Sequence, residues 1–164
     1  MKHLDVYTDG SYNKDMPEFT YGAFVSDVAS MSVKTSISEA TDMWNVGGEL
    51  LAAITALTFI QEMAKHFAEN GETLEVNIYS DYEGVVKWAS GAWKTKKPLT
   101  KAYRKFYLDT VSKNPNLRIN LMWVKGHSTT VGNNQADELA RKGLSGSKEC
   151  KNMDDLILEV LRRV

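Results

Sequence analysis

Leu74-Glu75-Val76-Asn77-Ile78-Tyr79-Ser80 alternates aliphatic with polar or aromatic side chains, the period of a half-buried strand, and it stops at Asp81. A helical pattern follows over Glu83–Ala89. Near the N-terminus the ending recurs: Val6-Tyr7-Thr8-Asp9 matches Ile78-Tyr79-Ser80-Asp81 almost residue for residue. Side chains alternate across a strand, so each aspartate shares a face with its tyrosine and opposes the aliphatic residue. If the two strands are parallel neighbours, both carboxylates leave the sheet at one C-terminal edge, where open α/β sheets place their ligands.

The remaining pattern supports that arrangement. A first strand spans His3–Asp9, and two more, at 19–28 and 31–38, follow with a short turn between them. A long helix runs from Val46 to Ala68 and meets a stop signal at Asn70-Gly71. Past the central strand, a helix over Leu99–Lys113 ends at Asn114-Pro115, Leu117–Lys125 alternates as a fifth strand, and a helix covers Asn134–Leu144. Three sequential strands predict an antiparallel meander, and the later strand–helix alternation predicts parallel crossovers. The expected fold is α/β: a mixed five-stranded sheet, its first three strands antiparallel and the rest parallel, flanked by helices. Residues 1–147 form the expected domain, and 148–164 an amphipathic C-terminal helix packed on it.

Composition narrows the class. The 164 residues are 43% hydrophobic and 25% charged, which fits a globular chain rather than a disordered or collagenous one. Cys150 is the single cysteine, so no internal disulfide can form and a reducing compartment is expected. Residues 1–20 carry too many charges for a signal peptide, and the longest apolar run, Leu50–Ile60, is too short to span a bilayer. The expected setting is cytoplasmic, with no membrane partner. A formal net charge of −1 gives no global pull toward nucleic acid, so that case rests on local clustering.

Two further acids stand out. Glu49 opens the long helix with Ala52, Ala53, Ala56 and Ile60 on its face, and Asp137 has Ala140 and Leu144 on its own. Each of the four acids has an ordinary alternative: Asp9-Gly10 as a turn, Asp81 as a helix cap, Glu49 and Asp137 as first-turn charges on a helix dipole. Together, on four elements whose faces carry no lysine or arginine, they need a counter-charge. A carboxylate-only cluster selects hard cations, Mg²⁺ or Mn²⁺, and a pair of such ions suits phosphoryl-transfer chemistry.

The motifs resemble type 1 ribonuclease H. Tyr7-Thr8-Asp9-Gly10-Ser11, Gly48-Glu49-Leu50-Leu51-Ala52-Ala53, Tyr79-Ser80-Asp81 and Ala136-Asp137-Glu138-Leu139-Ala140 match that family's four carboxylate motifs in order, and Val124-Lys125-Gly126-His127 matches its histidine loop. The similarity covers about residues 4–146. It implies an endonuclease that hydrolyses the RNA strand of RNA–DNA hybrids with two Mg²⁺ ions, Mn²⁺ substituting, and leaves 5′-phosphate and 3′-hydroxyl ends. Asp9, Glu49, Asp81 and Asp137 would be the metal ligands, Asp9 bridging both ions, with His127 assisting proton transfer or product release. Ser11, Asn45 and Asn133 would contact the hybrid. The short loop after Trp93 resembles the compact branch often fused to an N-terminal hybrid-binding domain, a domain not expected here because the first strand starts at residue 4.

Lys87, Lys94, Lys96, Lys97, Lys101, Arg104 and Lys105 give +7 over 19 residues with no acid among them, a phosphate-binding footprint. Within it, Trp93, Lys94, Thr95, Lys96 and Lys97 are the expected contacts, while Trp88 is expected in the core. The alternative is a solvated helix face. Met153, Leu156, Ile157, Val160, Leu161 and Val164 form one stripe, expected to pack on the domain; a protein-binding tail is its alternative. The chain is otherwise expected to be a monomer. Two other functions compete. One is a DNA exonuclease or transposase-like core; an exonuclease usually presents two acids separated by one residue on its first strand, whereas Gly10 and Ser11 follow Asp9. A non-catalytic binding module would have lost an acid, and all four are present.

Overall fold

The computed structural model describes residues 2–125, 134–138, 140 and 150–164. In chain order its elements are β1 (Lys2–Ser11), β2 (Thr20–Ser26), β3 (Ser30–Thr35), α1 (Ser38–Thr41), α2 (Trp44–Glu69), β4 (Leu74–Ser80), α3 (Glu83–Ser90), α4 (Pro98–Lys113) and β5 (Leu117–Trp123). Residues 134–138 and 140 are helical (α5), followed by β6 (Lys151–Asn152) and α6 (Asp154–Leu161).

The sheet order is β5-β4-β1-β2-β3-β6. Strands β1, β2 and β3 pair antiparallel, while β4 joins β1 and β5 joins β4 in parallel. The register sets Tyr7 against Tyr79 and Thr8 against Ser80, so Asp9 and Asp81 follow on adjacent strand ends. Tyr7 and Tyr79 stack with centroids 4.7 Å apart, a cross-strand aromatic pair on the face opposite Val6 and Ile78.

Helix α2 is the core. Every residue from Gly47 to Leu57 is buried. Its composition and 26-residue length would suit a bilayer, but most of it is enclosed by the fold. Leu50, Leu51, Ile54, Leu57 and Ile60 are almost fully buried, and each contributes roughly 1.5–3 kcal/mol of transfer free energy. Glycines admit this helix to the sheet: a Cβ on Gly22 would lie 2.8 Å from the Gly48 carbonyl oxygen, and one on Gly48 would strike the Tyr21 carbonyl oxygen.

Three details depart from expectation. The sheet has a sixth strand, β6, two residues long and parallel to β3, far too short to leave an alternating pattern. The third strand stops at Thr35, short of the expected residue 38, where the short helix α1 begins. Within the expected C-terminal helix over 148–164, the helix itself is α6 and β6 precedes it, with Ile157 and Val160 buried in the core. Asp154 anchors this segment: its carboxylate accepts hydrogen bonds from the Thr35 hydroxyl, the Ser36 backbone N–H and the Ser36 hydroxyl, each at 2.7 Å.

Candidate active site

Asp9 ends the alternation of β1 and is 4% exposed; Glu49, on α2, is 6% exposed. They meet because Gly10 carries no side chain. A Cβ there would overlap the Glu49 nitrogen and the Gly48 carbonyl carbon. Gly10 is therefore not a turn residue: it stays inside β1, paired with Gly22, and its role is close approach. The Gly10 N–H donates to Glu49 Oε1 at 2.8 Å and to Asp9 Oδ1 at 3.0 Å, so one backbone donor holds two carboxylates.

Helix α2 begins at Trp44, not at Glu49, so Glu49 lies past the first turn and the dipole explanation falls. Asp81 is not the cap of α3 either, because Tyr82 occupies that position and no side chain caps it. Instead the Asp81 segment is pinned on both sides. The Ser80 hydroxyl accepts the Tyr82 N–H at 3.1 Å and lies 3.5 Å from Glu49 Oε2, while the Trp123 indole N–H donates to the Asp81 carbonyl at 3.2 Å. Neither Ser80 nor Trp123 was legible as a support for the site, since neither carries a charge that sequence patterning would flag.

Carboxylate oxygens of Asp9, Glu49 and Asp81 all lie within 4.8 Å of one another. Asp137 joins them in lining a cavity of about 290 Å³, with Asn45, Val46 and Tyr82 on its rim. Among the described residues lining it there is no lysine or arginine. Burial pushes the Asp9 carboxyl up to about 7; the Asp81 and Asp137 charges add to this, and a hydrogen bond with Glu49 opposes it. Glu49 is held well above the usual carboxylate range, first by burial and then by the charge and hydrogen bond of Asp9. The donor set is all oxygen, and no basic side chain among the described lining residues competes for it, which is the chemistry that would hold a hard divalent cation. The residues fit a hard divalent ion.

Two grooves flank this cavity. One, of about 750 Å³, is lined by Tyr12, Asn13, Lys14, Asp15, Trp44 and Asn45. The other, of about 480 Å³, is lined by Trp44, Tyr82, Trp88, Lys94, Lys96 and Lys97 among others. Trp88 packs partly buried against the core, and Trp93, 38% exposed, meets its ring edge-on at 5.6 Å. Lys94, Lys96 and Lys97 are exposed and have no carboxylate within ion-pair distance among the described residues; Thr95 is half-buried between them.

The basic footprint is narrower than the charge count suggests. Arg104 donates to the Trp88 and Ala89 carbonyls at 3.1 and 2.9 Å, closing the end of α3, so its charge is structural. Lys105 pairs with Asp109 at 3.0 Å, and Lys87 with Glu83 at 4.0 Å. Asn45 is exposed beside the carboxylates, and Ser11, half-buried, ends β1 next to the start of α2. His127 and Asn133 lie outside the described residues.

Comparison with known proteins agrees with this geometry. The RNase H family model matches residues 1–145. The Rhizobium johnstonii protein named Ribonuclease H is 33% identical over 163 residues, covering 92% of this chain and 97% of the relative. That of Agrobacterium fabrum is 34% identical over 158 residues, covering 90% and 99%. Among solved structures, LC11-RNase H1 in complex with an RNA/DNA hybrid superposes with a TM-score of 0.65 at 21% identity, over 88% of this chain and 99% of that one. The N-terminal RNase H domain of a Mycobacterium tuberculosis protein gives 0.62 at 21% identity, over 89% and 96%, and both show the shared fold. With the carboxylates of four elements gathered at the sheet edge and relatives a third identical along nearly their whole length, this chain belongs to the RNase H family and is a ribonuclease H enzyme.

Proposed function

We propose that the protein hydrolyses the RNA strand of RNA–DNA hybrids internally, leaving 5′-phosphate and 3′-hydroxyl ends. The observation that carries this is the convergence of Asp9, Glu49 and Asp81 oxygens within 4.8 Å, with Asp137 on the same cavity wall. Those four carboxylates would hold two Mg²⁺ ions, with Mn²⁺ as substitute. When bound, such ions supply a water of lowered pKa and charge neutralisation at the leaving oxygen.

The chain's own residues do the rest. The Gly10 N–H fixes the Asp9 and Glu49 carboxylates in position. Ser80 and Trp123 hold the Asp81 turn against them. Asn45 offers an amide at the cavity mouth, suited to a ribose 2′-hydroxyl, the group that separates RNA from DNA. Lys94, Lys96 and Lys97 face solvent where a phosphate backbone can pass, with Trp93 available to pack against a sugar. His127, on sequence grounds, assists proton transfer or product release, and Asn133 contacts the hybrid.

The test is a cleavage assay with Mg²⁺ on three labelled substrates. The hybrid should be cut internally in its RNA strand, while single-stranded RNA and duplex DNA are spared. Comparable cutting of all three would overturn the assignment. A second prediction concerns the lysines. Replacing Lys94, Lys96 and Lys97 together with alanine should weaken hybrid binding and make the log–log salt dependence shallower by about 2–3, since each lost phosphate contact removes about 0.9 from the slope. An unchanged slope in a salt titration would place the three lysines off the phosphates.

A further inference from the structure

Trp44 is held in two unfavourable states at once. Its backbone lies in the left-handed region at φ 56°, the one non-glycine residue with positive φ among those described. Bulky L side chains avoid that conformation. Its indole is also 63% exposed. The segment is tied to the sheet, where the buried Thr20 hydroxyl donates to the Trp44 carbonyl at 2.8 Å. Backbone strain combined with an exposed aromatic at the rim of a reactive cavity points to a role in contact rather than in folding.

Its position says which contact. Residues 44–46 stand where three hollows meet. Asn45 lines the carboxylate cavity and the 750 Å³ groove, and Val46 lines the carboxylate cavity and the 480 Å³ groove. Trp44 lines both grooves and so forms the ridge between them. The two sides differ chemically. One offers Tyr12, Asn13 and Asn45, with Lys14 beside Asp15, a near-neutral surface of hydroxyl and amide groups suited to 2′-hydroxyls. The other offers three lysines against one acid, Asp42, with Trp88 and Tyr82, a net basic surface suited to a phosphate backbone and sugars.

We propose that Trp44 is a specificity-determining residue, a wedge that enters the minor groove of the hybrid and keeps the RNA strand on the polar side and the DNA strand on the basic side. This rests on the hybrid-cleaving function proposed above. An A-like heteroduplex has a wide, shallow minor groove that can straddle such a ridge. B-form DNA, with a minor groove about 6 Å wide, cannot straddle it without being opened. Trp44 thus favours hybrid over duplex DNA before any chemistry occurs.

Binding of fluorescent hybrid and duplex DNA, measured by anisotropy in Ca²⁺ alongside Mg²⁺-dependent cleavage by the parent, tests this. Trp44→Asn, a side chain that tolerates left-handed backbone, should keep or raise the Tm. It should bind hybrid about tenfold more weakly and duplex DNA about as before, with most of the loss in cleavage falling on KM rather than kcat. Trp44→Phe should recover most of the hybrid affinity. Hybrid binding within twofold of the parent, equal losses on both duplexes, or a Tm drop above about 5 °C in both variants would overturn the wedge. Cleavage of hybrid by the parent with any of these results would leave the proposed activity standing. Failure of the parent to bind hybrid would overturn both.

Discussion

Asp9→Asn is expected to lower hybrid cleavage by about 10³-fold or more and, at pH 7 without metal, to leave the protein more stable than its parent. The activity loss follows from the site's charge. Asp9 is a buried carboxylate that interacts with Glu49 and with the Asp81 and Asp137 charges, and losing it removes several kcal/mol of the interactions that hold a divalent ion, where about 4 kcal/mol corresponds to 10³ in rate. The stability gain has the same origin. Folded Asp9 keeps its proton up to about pH 7, whereas an unfolded aspartate releases it near 3.8. Between those values the native state binds more protons than the unfolded one, so metal-free stability falls as pH rises through that window. Asparagine still accepts the Gly10 N–H but carries no charge to bury, a relief of about 1–3 kcal/mol at pH 7. Melting curves at pH 4, 5.5, 7 and 8 check this: the parent's Tm should fall across the series in EDTA and recover on adding Mg²⁺. The variant's Tm should be flatter and respond weakly to Mg²⁺. A variant that keeps near-full rate would remove Asp9 from the mechanism.

What made the carboxylates legible also limited the reading of what surrounds them. Val6-Tyr7-Thr8-Asp9 and Ile78-Tyr79-Ser80-Asp81 are periodic, and period two fixes the face on which each aspartate lies, so parallel pairing sufficed to bring them together. Glu49 stood out because small apolar neighbours on a helix face are incompatible with a solvated charge. The supports carry no such signature. Ser80 and Trp123 act through a hydroxyl and an indole N–H whose partners are separated in sequence by 31 and 42 positions. Arg104 belongs to a run of basic residues, yet packing turns its guanidinium onto backbone carbonyls while nearby lysines stay in solvent. Charge counting cannot separate these cases because it ignores direction. Trp44 is a matter of backbone dihedral and exposure, and neither is encoded in an aromatic that sits between Met43 and Asn45.

The same dependence on main-chain contact governs Gly10, where a single methyl group is expected to cost about 3 kcal/mol and most of the activity. The Cβ of Gly10→Ala would overlap the Glu49 nitrogen and the Gly48 carbonyl carbon and lie 2.9 Å from the Asn45 carbonyl oxygen. All three are backbone atoms of α2, so no rotamer change can make room and the helix must lift from β1. Overpacking of this kind costs 1–3 kcal/mol where side chains can adjust, and the upper end applies where they cannot. For a chain of this size that is a Tm drop of roughly 6–12 °C. The lift also stretches the 2.8 Å bond from the Gly10 N–H to Glu49 Oε1 and moves Asn45 at the cavity rim. A displacement near 1 Å at a catalytic constellation is worth about 10²-fold in rate, so kcat should fall that far even at 25 °C, where the variant remains folded. Gly71→Ala supplies the contrast. Its φ of 69° makes alanine strained, but nothing lies within 4 Å of the added carbon, and the position is at the far end of α2. It should lower the Tm by a few degrees and leave cleavage unchanged. If Gly10→Ala retained a rate within a few-fold of the parent, the approach of helix to strand would not be what sets Glu49 beside Asp9.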